Sequence, residues 1–292
     1  MWKIAEYEHP EAVEETFYKI LDENLEMTRT FLKRRYDVIR NTPCSTNPIA
    51  FTQGGLYKGT KHPDEKIGDL VNYMTASFGI TALNELTEYA RGQSIKESNK
   101  FAKEVVQYIY NKVQQYKKED GYLYALYGTP AESLAGKQAE QLREYLHSIG
   151  KHDEAYKVPT YLTNSFHCHV SEEITPFEKQ DHEFELFHMI EGGHIQYVRI
   201  DDPTNLVGLK AIVERGMEMG FYQGVNFDSM FCNHCGHHTT PKNGKIVTCS
   251  DCGSHDVTVI SRVCGYLGYS NVSGNTRFND SKLDEVRERV SM

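Results

Sequence analysis

HIQYVRIDDPTNLVGLKAIVERGMEMGFYQGVNF, residues 194–227, changes character twice. HIQYVRI is dense in β-branched and aromatic residues and reads as a strand. NLVGLKAIVERGMEMG reads as a helix, and FYQGVNF reads as a second strand. An alternation of strand, helix and strand at this length argues for an α/β fold with parallel pairing.

Upstream, HPEAVEETFYKILDENLEMTRTFLKRRYDVIRNTP carries apolar residues at Val13, Phe17, Ile20, Leu21, Leu25, Phe31 and Leu32 behind Pro10, the pattern of an amphipathic helix. Residues 43–63, rich in Pro and Gly, read as a structured connection with room for one short strand. Helical patterns are expected over 64–91 and 98–118. GYLYALYGTPAESLAG then reads as a strand over Tyr122–Leu126 that ends at Gly128 and Pro130, with a helix over 131–149. Such a strand, loop and helix sequence is where α/β barrels place functional groups. Residues 161–193 are rich in His and Glu and read as irregular. The last segment, NDSKLDEVRERVSM, should be a short helix capped by Asp280 or Ser281.

The composition bounds the function. With 292 residues, 39% hydrophobic and 25% charged, the chain can bury a sizeable core. It holds no run of 18 apolar residues, and MWKIAEYEHPEAVEETF has no signal-peptide pattern, so a cytoplasmic, non-membrane protein is expected. A net charge of −9 disfavours general binding to nucleic-acid phosphates.

Downstream of residue 230 the composition shifts to Cys, His, Gly and Lys. In CNHCGHHTTPKNGKIVTCSDCGS, the pair Cys232/Cys235 is followed by the pair Cys249/Cys252. Two such knuckles supply four thiolates that can close a tetrahedron around zinc first, or iron second, and the glycine after each pair allows a tight turn. A closed four-sulfur site has no open coordination position and is structural. The histidines His167, His169, His182, His188 and His194 fit no ligand spacing and read as solvated or hydrogen-bonding side chains.

After the knuckles comes SRVCGYLGYSNVSGNTRF, residues 261–278, in which a strand delivers Gly265 into what reads as a Gly, Asn and Ser loop. Arg262, Val263, Gly265 and Tyr266 match an RVxGY core that recurs in the glycyl-radical enzymes, which this stretch resembles. With RFN shortly after and a four-cysteine site before, the tail resembles the C-terminus of the anaerobic (class III) ribonucleotide reductases. YALYGTPAESLAG and the NSFH…FEK…FH…GG.I.Y pattern over 164–198 extend the resemblance over nearly the whole chain.

The resemblance implies the C-terminal half of a ten-stranded α/β barrel (1–229), a four-cysteine zinc subdomain (230–256), and a radical loop with a terminal helix (257–292). It places the stored radical on Gly265, formed by an iron–sulfur radical-SAM activating enzyme, and puts Tyr127 and Glu132 at the substrate. A glycine α-carbon radical is delocalised over the flanking amides, and a side chain there would oppose planarity. Gly268 and Gly274 would supply mobility to the loop. Glu132 is also readable as an acid in the first turn of a helix.

The family's enzymes are about twice as long, and their N-terminal half carries the thiyl cysteine, which neither Cys44 nor Cys168 matches by motif. The expectation is therefore a split reductase, or a fragment of one. It would act on ribonucleoside triphosphates in deoxyribonucleotide biosynthesis together with an N-terminal partner half, as a dimer, with formate or a thioredoxin-type protein as reductant. The rival readings are a glycyl-radical replacement protein without catalysis and a zinc-ribbon nucleic-acid-binding module.

Overall fold

A computed structural model describes residues 13–54, 61–241, 248–263, 266–271 and 277–292. Gly265, Cys264 and Gly274 lie outside the described residues. The chain forms two compact units, one of residues 13–78 and 107–126, the other of residues 79–106 and 127–292.

The smaller unit is built on α1 (Val13–Arg40), whose buried positions Phe17, Leu25, Leu32 and Tyr36 recur at helical spacing. Arg29 on α1 reaches the end of α4 (Lys100–Asp120) and donates to both carboxylate oxygens of Asp120 at 2.8 Å, while Lys33 adds a third bond at 2.9 Å. These cations hold the Asp120 carboxyl far below the usual range. Residues 43–63 hold no strand among those described; Cys44–Thr46 is a 3-10 turn, Pro48–Phe51 a short helix α2, and the only pairing is an isolated bridge from Pro43 to Lys66. Cys44 is buried against Ala50, Phe51 and Ile67 as an ordinary core thiol. The expected helix over 64–91 divides into a 3-10 turn (Gly68–Tyr73), strand β1 (Thr75–Ile80) and α3 (Leu83–Arg91). Only Phe78 of β1 is buried, so the strand carries no strong alternation to announce it.

Strand β2 (Leu123–Gly128) pairs with β1 and leads to α5 (Leu134–Ser148), followed by α6 (His152–Lys157). The 161–193 stretch is not irregular throughout: α7 (Pro176–Phe187) opens with a complete capping box between Thr175 and Glu178, with Pro176 in the first turn. Then come β3 (Ile195–Arg199), α8 (Leu206–Glu218) and β4 (Tyr222–Asn226). β3 and β4 are parallel, with Ile195 opposite Tyr222 and Arg199 opposite Asn226, so the α/β class expected from 194–227 is the one adopted. Asn205 caps α8 by accepting from the Gly208 amide at 2.9 Å. Gly216 allows α8 to close on β4, because a Cβ there would stand 2.5 Å from Gln223 Oε1.

The remaining strands, β5 (Ser229–Cys232), β6 (His238–Thr239), β7 (Val257–Val263) and β8 (Tyr266–Tyr269), form an antiparallel sheet in the order β6-β5-β7-β8. α9 (Asp280–Glu288) ends the fold, and its cap is Asn279, which accepts from the Lys282 amide at 2.9 Å; neither Asp280 nor Ser281 takes that role.

α9 is held firmly. Its Lys282 is fully buried, paired with Glu285 at 2.6 Å and bonded to Asn164 at 3.2 Å, and Tyr161 donates to Glu288 at 2.6 Å. At Gly136 on α5, a Cβ would sit 2.1 Å from Ser281 Oγ and 2.5 Å from Ser281 Cβ. Gly136→Val is therefore expected to push α9 off α5 and cost about 1–3 kcal/mol. Hydrogen exchange should localise the lost protection to 280–288, and unchanged protection there would contradict the packing argument.

Candidate functional site

Two strand ends meet the segment Tyr161–His169. Thr81, just past β1, bridges to Asn164, and the Ala82 amide donates to Thr163 O at 2.9 Å. Glu85 on α3 accepts both the amide and the hydroxyl of Thr163 at 2.7 Å; burial pushes its carboxyl up while those bonds oppose the shift. Ala82, Ala131 and Ser165 all have left-handed backbone, at φ of 59°, 50° and 48°. Such conformations cost non-glycine residues energy and concentrate at functional sites.

Tyr127 and Gly128 stand at the end of β2 in this region, with the Tyr127 ring beside Gly79 of β1: a Cβ on Gly79 would lie 3.7 Å from the ring and 3.5 Å from Thr129 Cβ. Glu132 is exposed in the turn after β2, one residue ahead of the Ser133 cap, and so is not in the first turn of α5.

Below the strand ends lies a cluster whose anchor residues were not picked out from sequence. Glu183 of α7, 1% exposed, accepts from the Lys179 ammonium one turn earlier. It also bonds His167 Nδ1 at 2.8 Å and His194 Nε2 at 3.1 Å. Burial opposes the charge on Glu183, but Lys179 and then His167 outweigh it and hold the carboxyl well below its usual range. Ligand atoms of His167, Glu183 and His194 lie within 4.8 Å of one another, a spacing that can suit a metal. The Lys179 ammonium already touches both Glu183 and His167, so the cluster has its own cation. Of the five histidines, these two are joined through one carboxylate, as hydrogen-bonding side chains. The sequence signals for the anchor were the TPFE capping box, which announces α7, and the i,i+4 spacing of Lys179 and Glu183.

Burial, reinforced by the Lys179 charge, lowers His167 to about 4. In the unfolded chain it takes up a proton near pH 6.5, whereas the folded chain resists until about pH 4. Its contribution is therefore intact above pH 6.5 and is lost as pH falls to 4, amounting to about 3 kcal/mol. Denaturant titrations at these pH values should show that loss, and His167→Gln should flatten the slope. An equal slope in both proteins would contradict the assignment.

The four cysteines meet as their spacing predicts. Cys232 Sγ lies 3.6 Å from Cys252 Sγ, Cys235 Sγ lies 3.6 Å from Cys249 Sγ, and all four fall within 4.8 Å of one another. The two knuckles are copies of one turn: Gly236 and Gly253 both have φ of 73°, and their amides donate to Cys232 O and Cys249 O at 2.9 Å. The amides of Cys235 and His234 point at Cys232 Sγ and favour its thiolate, lowering it to about 6. A tetrahedron of sulfurs about 2.3 Å from zinc has edges of about 3.8 Å. The donor set fits that ion.

The first knuckle follows from the end of β5, the second precedes β7, and β7 runs from there toward the motif of the tail. Val263 at the end of β7 pairs with Tyr266 at the start of β8, so Arg262, Val263 and Tyr266 of the motif stand on paired strands. Tyr266–Tyr269 are strand where a loop is expected, and residues 272–276 of that stretch lie outside the described residues. Gly268 is a packing position inside β8 and not a source of mobility: a Cβ there would meet the Phe278 ring at 2.7 Å. Arg262 donates to Asn226 at 3.4 Å, and Val263, Tyr266 and Phe278 share a core with Leu283 and Val286 of α9.

A family model described as anaerobic ribonucleoside-triphosphate reductase matches residues 4–292. The chain belongs to that family. It is 31% identical over 285 residues to the anaerobic ribonucleoside-triphosphate reductase of Enterobacteria phage T4, covering 95% of this chain and 44% of the relative. It is 29% identical over 288 residues to that of Haemophilus influenzae, covering 95% and 40%. The chain thus spans about two fifths of the length of these relatives. Among solved structures, an anaerobic ribonucleotide reductase superposes with a TM-score of 0.69 at 18% identity, over 95% of this chain and 42% of the other. The Thermotoga maritima enzyme in complex with dATP and CTP superposes with a TM-score of 0.63 at 17% identity, over 92% and 41%. These likenesses establish the fold. Among the described residues no helix is long and apolar enough to cross a membrane.

Proposed function

We propose that the chain is the C-terminal part of an anaerobic ribonucleotide reductase and stores a radical on Gly265. What supports this reading above all is the position of the motif: the residues that carry the resemblance stand on paired strands, packed on α9 and supplied by a strand that leaves the four-cysteine knuckles. Zinc at Cys232, Cys235, Cys249 and Cys252 would lock the base of that strand pair.

In the reaction this implies, a radical-SAM activating enzyme takes one hydrogen atom from the Gly265 α-carbon. The glycyl radical then takes a hydrogen atom from a cysteine of the N-terminal half, and the resulting thiyl removes H3′ from a ribonucleoside triphosphate. Tyr127 lines the substrate site. Glu132 acts as general base toward a neighbouring ribose hydroxyl, taking its proton while the 2′-hydroxyl gains a proton and leaves C2′ as water, and its exposure leaves it open to a ligand. Reducing equivalents come from formate or a thioredoxin-type protein.

The N-terminal half is taken to complete the α/β barrel and the dimer. Exposed apolar side chains on each unit fit the need for such a partner: Met27, Phe31 and Val38 on α1 of one, and Leu206, Val213 and Met217 on α8 of the other. The test is anaerobic nucleotide reduction by this chain mixed with a polypeptide matching the N-terminal part of the relatives and with the activating enzyme. Product that needs both halves is expected. No product from a folded, activated mixture would overturn the proposal.

A further inference from the structure

Gly128, the residue after Tyr127, is gripped on both sides. Its amide donates to Gly193 O at 3.0 Å. A Cβ on it would lie 2.4 Å from Ser165 Oγ and 2.9 Å from His194 Nδ1, so those two side chains fill the space that a side chain at this position would need. Ser165 is 1% exposed and His194 5% exposed, and neither has a surface role to explain it.

The polar atoms form one line. Ser165 Oγ is 3.3 Å from His194 Nδ1, His194 Nε2 is 3.1 Å from Glu183 Oε2, and the other Glu183 oxygen holds the Lys179 ammonium. Glu183, paired with a cation, only accepts, so the proton of His194 sits on Nε2. Nδ1 is then an acceptor, and the Ser165 hydroxyl must donate to it. Phe166 stacks on the His194 ring at 4.0 Å between centroids and fixes its plane. Each member leaves the next a single orientation, and the last rests against the strand end.

We infer that Ser165, His194 and Glu183 are positioning residues for Tyr127, a buried chain that runs from the Lys179 ammonium to Gly128 and sets the strand end on which Tyr127 stands. The inference deepens the proposed function, because it rests on Tyr127 facing the nucleotide. The left-handed backbone of Ser165 is part of the device: the bond to His194 holds a conformation that serine alone does not favour. A displacement near 1 Å at a reacting group can cost roughly a hundredfold in rate, so a support of this kind has a measurable consequence.

The test places 3-fluorotyrosine at position 127 of the 292-residue chain and records its fluorine resonance in the parent, in Ser165→Ala and His194→Gln, and in Ile212→Val as a control for a buried change elsewhere. A shifted or split resonance in the first two variants and an unchanged one in the control is expected, at temperatures well below unfolding. An unchanged resonance in Ser165→Ala overturns the inference even if His194→Gln does not fold. With the N-terminal half, Ser165→Ala should lower kcat roughly tenfold to a hundredfold, with KM altered less than kcat and the radical yield unaltered. Tyr127→Phe separates the two claims. If it keeps full activity, the substrate-lining reading fails while the resonance still judges the positioning. If Tyr127→Phe is impaired and Ser165→Ala is not, the positioning role fails.

Discussion

The Gly265→Ala chain, treated anaerobically with activating enzyme, reductant, S-adenosylmethionine and the N-terminal half, is expected to give no organic-radical doublet by electron paramagnetic resonance, where the parent gives one. Nucleotide reduction should vanish with it. The expectation is a complete loss, because no other atom in the motif can take the role. The α-carbon radical gains from planarity and from overlap with both flanking amides, and a methyl group crowds the flat form. The substitution should leave the surrounding fold intact, since the pairing of Val263 with Tyr266, the Arg262–Asn226 bond and the α9 core all belong to residues outside it. Equal melting temperatures for parent and variant would confirm that the loss is chemical. A doublet that survives in Gly265→Ala would move the radical elsewhere and remove the central claim.

The second large effect is expected from the four-cysteine knuckles. Metal analysis of the parent should give one zinc per chain, and Cys235→Ser or a strong chelator should abolish it. Structural zinc contributes roughly 10–16 kcal/mol to folding in small peptide domains, and the knuckle end of the sheet, unlike the end packed on α9, has only a small apolar cluster. The buried cluster beside the knuckles is Met230, Cys232, Cys249, Val257 and Val259, of which two belong to the four-cysteine group itself. Loss of the ion should therefore melt β5, β6 and the base of β7. Because β7 leads directly to Val263, radical yield should collapse although Gly265 is unchanged. Hydrogen exchange that stays protected over 257–263 after chelation, with full radical yield, would show that the knuckles are dispensable. Iron in place of zinc would alter the absorption spectrum and leave the argument about the strand intact.

What could be read from the chain alone was whatever depends on neighbours in sequence. The strand, helix and strand of 194–227 declare themselves through side-chain type and period, and the two CxxCG turns through spacing. α7 was legible and overlooked: its capping box is plain in TPFE, but a polar, histidine-rich stretch hid the helix behind it. β1 was scarcely legible, since one buried residue in six leaves no alternation to find.

Mutual position is another matter. Gly128, Gly136, Gly216 and Gly268 look like punctuation in the sequence, yet each marks a place where a side chain from outside its own helix or strand lies against the backbone. His167, Glu183 and His194 come from three separate segments, and only burial on all sides turns them into one charge-balanced cluster around Lys179. By itself the sequence determined the strand, helix and strand of 194–227, the four-cysteine spacing and the family motif around Gly265, because these rest on short-range sterics, periodicity and fixed ligand spacing. Only the tertiary structure decided which polar groups are desolvated together and which glycines are contact points, because burial and distance between remote segments arise from the sum of long-range packing.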